Sequence, residues 1–236
     1  MKQCSKSISR RLSNPNFMRR YFKGNGIDIG GGPDPLSLYV ELFPLAESVY
    51  TWDIEDGDAQ FMSSVKSCIY DFVHSSHCLE HLNNPIEGLK NWFRILKPGG
   101  YLIIIVPDED LYEQGKFPST FNKDHKWTFT IYKKSSWSRN SINVVDMLKG
   151  LGSDACIEKI ELLNSTHRTF PRYDQTLTPV GECGIEIIVY KKSNEWKVGK
   201  PLDKETIVHL NQYKDDYSTL IKNNKVTLPF RNKKTI

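Results

Sequence analysis

The sequence has no long apolar run. Its longest strongly apolar stretch, Leu102–Val106, suits a buried strand and is far shorter than the roughly 20 residues of a membrane-spanning helix. Basic residues near the N-terminus, including Arg10 and Arg11, are not followed by the apolar segment of a signal peptide. We therefore expect neither a membrane span nor a signal peptide.

Paired cysteines and a strong excess of one charge are also missing. The five cysteines in 236 residues have no Cys-x-x-Cys spacing, which predicts a reduced, cytoplasmic protein. The formal net charge of +4 permits an anionic partner but gives no sign of the concentrated basic surface that nucleic acid usually requires. We therefore expect no nucleic-acid partner.

Strand and helix patterns alternate along the middle of the chain. Apolar or β-branched runs predict strands at Gly26–Ile29, Ser48–Trp52, Ile69–His74, Tyr101–Val106, Cys156–Leu163 and Gly184–Tyr190. Amphipathic patterns predict helices that begin at Pro35, at Pro85 and, with Asn140 or Ser141 as cap, at Ile142. This alternation predicts an α/β fold in which helices cover both faces of a mostly parallel sheet.

Three glycines, Gly30–Gly32, follow the first predicted strand and precede a predicted helix. Glycine allows the sharp turn and the close ligand approach that cofactor sites at strand ends need. A dinucleotide fingerprint would have a third glycine where Pro35 stands, and the carboxylates of Asp28 and Asp34 would repel a diphosphate. The loop therefore favours a cationic nucleoside, S-adenosylmethionine (SAM), over NAD. An NAD-dependent enzyme stays as a less favoured alternative.

Five segments of the chain follow one another in a recognisable order. They are Asp28–Gly32 (D-x-G-x-G), Gly57–Ala59 (G-D-A), Tyr70–Ser76, Leu79–Leu82 (L-E-H-L) and Leu96–Gly100 (L-K-P-G-G). Together they resemble the motifs of class I, Rossmann-like SAM-dependent methyltransferases. The resemblance implies a three-layer sandwich whose mostly parallel, seven-stranded sheet has an antiparallel last strand. It also implies methyl transfer with SAM as the cofactor.

The resemblance further implies which residues bind SAM. The turn formed by Asp28, Gly30, Gly31 and Gly32 would hold the amino-acid end. The other implied contacts are Asp53 at the ribose, Asp58 and Ala59 at the adenine, and Ser75, Ser76 and His77 along the methionine path.

The sequence departs from the family pattern at two places. Asp34 stands where many members have a third glycine. Only four residues separate Asp53 from Asp58, so the usual helix and third strand between them must be reduced or absent. This leaves open whether Asp53 or Glu55 binds the ribose.

The predicted domain spans residues 24–192. Within it, the long polar stretch 108–140 is predicted to be a substrate-side insertion, because long loops in compact domains are usually functional. Residues 1–23 are predicted to form a basic N-terminal arm or lid. Residues 193–236 are predicted to form a C-terminal helix and a basic tail.

Two histidines are candidates for a catalytic base. His125 follows Asp124, and this or another acid could orient its ring, while His77 follows the fourth-strand motif. The segment His77–His81 also fits the zinc pattern H-x-x-E-H, but no third ligand is evident in the sequence. We therefore predict no metal site.

The predicted acceptor class follows mainly from a missing motif. The segment after His74 lacks the acid- or Asn-Pro-Pro-aromatic motif of enzymes that methylate the amino groups of nucleic acids. We predict O-methylation of a small molecule, such as a sugar or a phosphorylated precursor. The alternative is a non-catalytic SAM-binding or protein-interaction module, and the oligomeric state stays open.

Overall fold

The computed structural model describes residues 2–168 and 173–195, together with Val208, Asn211 and Gln212. The chain divides into two units, Met1–Glu195 and Trp196–Ile236. In the second unit the three described residues are helical, and the rest of the predicted C-terminal helix and basic tail lies outside the described residues. The architecture below is that of the first unit.

The described part of the first unit contains three α-helices and eight strands. The helices are α1 (Cys4–Leu12), α2 (Pro85–Ile95) and α3 (Val144–Lys149). The strands are β1 (Gly24–Ile29), β2 (Ala46–Trp52), β3 (Tyr70–Ser76), β4 (Leu96–Pro107), β5 (Thr128–Thr130), β6 (Ser141–Asn143), β7 (Ala155–Leu163) and β8 (Gly184–Lys191). None of the described helices has the length and apolar character needed to cross a membrane.

Six of these strands form one sheet in the order β2-β1-β3-β4-β8-β7. Strands β2, β1, β3 and β4 are parallel, and β8 is antiparallel to both β4 and β7. The predicted α/β fold with a mostly parallel sheet and an antiparallel last strand is confirmed. The described residues give this sheet six strands instead of the seven implied, because the chain between β2 and β3 forms only the short 3-10 turn Ile54–Asp56 and irregular loops.

The two faces of the sheet carry separate apolar clusters, because successive residues of a strand point to opposite faces. On one face, Leu102 and Ile104 of β4 pack with Trp92 of α2 and with α3. On the other face, Ile103 packs with Ile8 of α1 and with the aromatic residues that follow this helix. These layers form the predicted three-layer sandwich.

The start of the chain is packed against the sheet as helix α1. Arg11 is fully buried, with its Nε atom 3.5 Å from Glu186 Oε1 on β8 and its guanidinium over the rings of Phe17 and Phe22. Arg10 donates one hydrogen bond of 2.8 Å to Glu186. Burial raises the pKa of Glu186, but the charges of Arg11 and Arg10 outweigh it and lower the pKa to about 2.

Two predicted helix starts differ from the structure. Helix α3 begins at Val144, and its cap is Asn143, whose side chain accepts a hydrogen bond from the Asp146 amide. The predicted caps Asn140 and Ser141 are wrong because β6, which begins at Ser141, pairs with β5 before the helix can start. The segment after Pro35 is also not an α-helix but the 3-10 helix Leu36–Leu42.

Candidate active site

A glycine turn follows β1 at the carboxyl edge of the parallel strands. Gly30 (φ +74°) and Gly32 (φ +51°) adopt left-handed backbone conformations that favour glycine. A Cβ atom on Gly30 would lie 2.6 Å from the Cys78 side chain, so only glycine fits this close approach. A Cβ atom on Gly32 would meet no heavy atom within 4 Å, so the backbone of the turn faces open space there.

Asp28 supports this turn through two contacts of its carboxylate. Its Oδ2 atom accepts a 2.6 Å hydrogen bond from the Leu36 amide, and its Oδ1 atom lies 2.6 Å from His74 Nδ1. Burial lowers the pKa of His74, so the ring is neutral and its Nδ1–H group donates a hydrogen bond to the carboxylate. Both carboxylate oxygens of Asp28 therefore bind protein groups, and the residue is 1% exposed.

Asp34 joins the turn to the N-terminal segment. Its Oδ2 atom accepts hydrogen bonds of 2.8 and 2.9 Å from the amide and hydroxyl of Ser5, and its Oδ1 atom accepts one from the Tyr39 hydroxyl. Gln3 and Cys4 consequently line the cavity above the turn. The carboxylate that replaces the third glycine of the family pattern thus holds the start of α1 beside the glycine turn.

Two cavities meet at this turn. The first has a volume of about 190 Å³ and is lined by Gly30–Gly32, Asp34, Ser76, His77, Asn122 and His125, among others. The second has a volume of about 450 Å³ and is lined by Trp52, Asp53, Asp58, Ala59 and Leu82, among others. Gly30 and His81 line both, so the cavities lie side by side along the edge of the sheet.

The second cavity is formed by the short segment after β2. Asp53 caps the 3-10 turn there, because its Oδ1 atom accepts from the Ile54 amide while its own amide donates to Asp56. The backbone carbonyl of Ala59 accepts a 2.8 Å hydrogen bond from Trp92 Nε1, which fixes this wall against the core. Asp53 and Glu55 are the two candidates for the ribose contact. Of these two described residues, Asp53 lines this cavity and Glu55 does not.

Three histidines surround one buried carboxylate at the first cavity. Glu80 Oε1 lies 3.3 Å from His77 Nδ1, 3.8 Å from His125 Nε2 and 4.0 Å from His81 Nε2. Glu80 is 0% exposed. Burial raises the pKa of Glu80, but the three imidazoles outweigh it and hold the pKa below its usual range. We call these four residues the imidazole cluster.

The orientation of His125 comes from a residue that the sequence did not indicate. His125 Nδ1 lies 2.7 Å from Glu113 Oε1, at the end of the π-helical turn Glu109–Glu113 that follows β4. Asp124, the neighbouring acid, instead places its backbone carbonyl 3.1 Å from His81 Nδ1. The acid that orients the ring of His125 is therefore Glu113 and not Asp124. The Nε2 atom of the ring is turned towards Glu80.

A family profile described as a methyltransferase domain matches residues 3–141, which is more than half of the chain. The chain belongs to the class I SAM-dependent methyltransferases. The methyl donor of the family is SAM, as predicted. A search of curated protein sequences finds no significant match.

The solved structures that resemble this methyltransferase share little sequence identity with it. A SAM-dependent methyltransferase from Archaeoglobus fulgidus is 18% identical, over 80% of this chain and 93% of that chain, with a TM-score of 0.51. A complex of the Trm112 activator with a putative methyltransferase from Haloferax volcanii gives 12% identity, 80% and 90% coverage and a TM-score of 0.47. A possible histamine N-methyltransferase from Thermotoga maritima is 19% identical, over 77% of this chain and 88% of that chain, with a TM-score of 0.44. The first of these shows a shared fold.

The methyltransferase brings most of the predicted SAM contacts to the two cavities. The glycine turn, Ser76 and His77 line the first cavity, while Asp53, Asp58 and Ala59 line the second. Ser75 lines neither cavity among those described, because its hydroxyl donates a 2.9 Å hydrogen bond to the Ile29 carbonyl of the neighbouring strand. The contact of Ser75 with the methionine path stays a prediction.

Several residues of the methyltransferase site were missed or discounted in the sequence. Glu80 and His81 belong to the H-x-x-E-H pattern, in which the sequence alone shows no third ligand. Glu113 and Asn122 carry no local motif, and only the path of the chain after β4 brings them to the cavity. Buried Glu109 holds this path, because its carboxylate accepts hydrogen bonds from Ser136 and Lys133.

Proposed function

We propose that this methyltransferase transfers the methyl group of SAM to a hydroxyl group of a small molecule, with sugars and phosphorylated precursors as the acceptor classes. The main supporting observation is the oriented imidazole of His125. Its Nδ1 atom is held by Glu113 at 2.7 Å, which leaves Nε2, 3.8 Å from Glu80 Oε1, as the proton acceptor of a ring that lines the cavity.

The placement of SAM follows from the shapes and charges of the two cavities. The turn Gly30–Gly32, with Ser76 and His77, would hold the methionine part, and the open face of Gly32 leaves room for it. Asp53 would accept the ribose hydroxyls, while Asp58 and Ala59 would frame the adenine. Asp28 would act indirectly by positioning the turn, since both of its oxygens already bind protein groups.

The acceptor would enter from the side of the insertion. Asn122 and His125, which both belong to residues 108–140, line the first cavity beside the glycine turn. On the other side, Gln3 and Cys4 of the N-terminal segment line the same cavity and would cover the donor. We therefore propose that the insertion selects the acceptor and that the N-terminal segment excludes water.

The chemistry requires positioning and one proton transfer. The acceptor oxygen forms a bond to the methyl carbon in line with the breaking C–S bond, whose electron pair stays on sulfur and yields the neutral thioether. The hydroxyl proton passes to an imidazole nitrogen of His125 or His77. Positioning the acceptor against the methyl group can lower the activation barrier by on the order of 7–11 kcal/mol. A base in contact with the hydroxyl raises the rate by about 10²- to 10⁴-fold.

Replacing the histidines tests the base. We expect His125→Ala or His77→Ala to reduce turnover at least about tenfold, because the acceptor hydroxyl loses its proton acceptor. For His125→Ala the affinity for SAM, measured by calorimetry, should stay at the wild-type value. Asp124→Asn is the matched control, since this exposed side chain neighbours His125 without orienting it. Losses smaller than tenfold in both histidine variants would remove the base from the mechanism.

The acceptor class is tested with tritiated methyl groups. Purified protein is incubated with methyl-labelled SAM and a cell extract divided into metabolite, RNA and protein fractions. We expect label in the metabolite fraction, on a compound whose new methyl group mass spectrometry assigns to oxygen. Label confined to RNA or protein would contradict the proposal, and SAM binding without any transfer would support the non-catalytic alternative.

A further inference from the structure

We propose that Glu80, His81 and His125 form a binding site for one divalent first-row transition metal ion, represented by Zn²⁺. One potential ligand atom from each residue lies within 4.8 Å of the others. Two imidazoles and one carboxylate suit Zn²⁺ and its neighbours, whereas Mg²⁺ and Ca²⁺ prefer sites made of oxygen atoms. The fold thus adds His125 to Glu80 and His81 of the pattern His77–His81, and His77 is not among the proposed ligands.

Glu80 is a buried carboxylate that needs a cationic partner. Neither of its oxygens accepts a hydrogen bond from the described residues, although the side chain is 0% exposed. An ionised carboxylate without donors is unfavourable to bury, so it is normally paired or bound to a metal. The groups nearest to it are three imidazoles, which offer lone pairs to a metal ion as readily as protons to a carboxylate.

The two histidine ligands are already oriented by a second set of contacts. His125 Nδ1 is held by Glu113 Oε1 at 2.7 Å, and His81 Nδ1 lies 3.1 Å from the Asp124 carbonyl. Metal-binding histidines typically donate their other ring proton to a carboxylate or a backbone carbonyl, which directs the free lone pair at the ion. Here both Nε2 atoms face Glu80, and the two rings are 5.0 Å apart and nearly perpendicular.

The distances fit an ion after a small contraction. Tetrahedral Zn²⁺ with bonds of about 2.0–2.2 Å holds its ligand atoms roughly 3.4 Å apart. Glu80 Oε1 lies 3.8 Å from His125 Nε2 and 4.0 Å from His81 Nε2, and all three ligand atoms lie within 4.8 Å of one another. The pairs would therefore have to close by between roughly 0.4 and about 1.4 Å to complete the site.

The position of the site indicates its role, and this role rests on the proposed function. His81 and His125 line the first cavity beside the glycine turn, so an ion that they held would be accessible to the acceptor. When bound, the ion would supply Lewis-acid activation of the acceptor hydroxyl. In that state His125 would serve as a ligand instead of the base, and His77 would take the proton while the acceptor oxygen forms its bond to the methyl carbon.

The site is tested by metal binding to the full-length protein. After treatment with a chelator, the protein is titrated with ZnCl₂ against a chromophoric competitor, and Co²⁺ is added separately to record its visible spectrum. We expect one ion per chain, and at least about 100-fold weaker binding for Glu80→Gln and for His125→Ala, which each remove one ligand. Glu113→Gln should weaken binding about 10- to 100-fold, because it releases the His125 ring.

The control and the folding check decide between a site and adventitious binding. Asp124→Asn should bind Zn²⁺ like the wild type, since only its backbone contacts His81, and circular dichroism must show each variant folded. Less than one ion per chain at micromolar Zn²⁺, or unchanged affinity in the ligand variants, overturns the metal site. SAM calorimetry runs in parallel: metal binding without SAM binding counts against the proposed function alone.

Discussion

Gly30→Ala is expected to weaken SAM binding by about 100-fold while the protein stays folded. Gly30 has a φ of +74°, and a left-handed conformation costs a residue with a side chain roughly 1–2 kcal/mol. The added Cβ atom would also lie 2.6 Å from the Cβ and Sγ atoms of Cys78, so the turn or the Cys78 segment has to move. Both flank the cavities in which SAM is expected to bind. Calorimetric titration with SAM and with its demethylated product measures the change.

Gly99→Ala is the matched control for this effect. Gly99 also has a positive φ, of +90°, but a Cβ atom there would meet no heavy atom within 4 Å. It lies near the start of β4, at the opposite edge of the sheet from the glycine turn. We expect similar backbone strain without a change in SAM affinity. Equal losses of affinity in both variants, or none in Gly30→Ala, would contradict the role of the turn.

Glu186→Gln is expected to lower the free energy of unfolding by about 3–5 kcal/mol at neutral pH. The substitution leaves the fully buried guanidinium of Arg11 without its charged partner. Since each kcal/mol shifts the midpoint of thermal unfolding by about 2–4 °C in a domain of this size, the midpoint should fall by roughly 10 °C. Urea unfolding followed by circular dichroism gives the free energy directly.

The same residue predicts how stability depends on pH. The folded-state pKa of Glu186 is lowered to about 2 from an ordinary value of 4.5. Its contribution is therefore complete above about pH 4.5 and is lost as the pH falls towards 2. The difference between wild type and Glu186→Gln should be largest at neutral pH and should shrink in acid. A difference that stays constant down to pH 2 would exclude an ionised Glu186 as the cause.

A surface ion pair provides the comparison for Glu186. Lys149 and Asp146 lie 2.7 Å apart, with side chains 72% and 63% exposed. Lys149→Gln should leave the stability unchanged within error, because exposed pairs are screened by water and salt. A loss as large as that of Glu186→Gln would show that burial does not decide the effect.

Local sequence signals predicted the parts of the fold that depend on neighbouring residues. The glycine turn was predictable because Gly30–Gly32 meets a backbone requirement that few other residues meet. Strand β4 was predictable because a run of apolar residues is needed when both faces of a strand are buried. The predicted position of the α3 cap was wrong by two or three residues. The residues before Asn143 are already paired with β5 as part of β6, so the helix cannot begin earlier.

The sequence by itself determined the family, the order along the chain of the six strands of the main sheet, and the turn at residues 30–32, because these depend on motifs and periodicities within a few residues. Only the tertiary structure decided that Glu113 orients His125, that His125 meets Glu80, and that Asp34 holds the start of α1. These contacts join residues that lie 12 to 45 positions apart, and their strength comes from shared burial. Which polar groups share one buried site is a property of the packed chain, and no local pattern encodes that pairing.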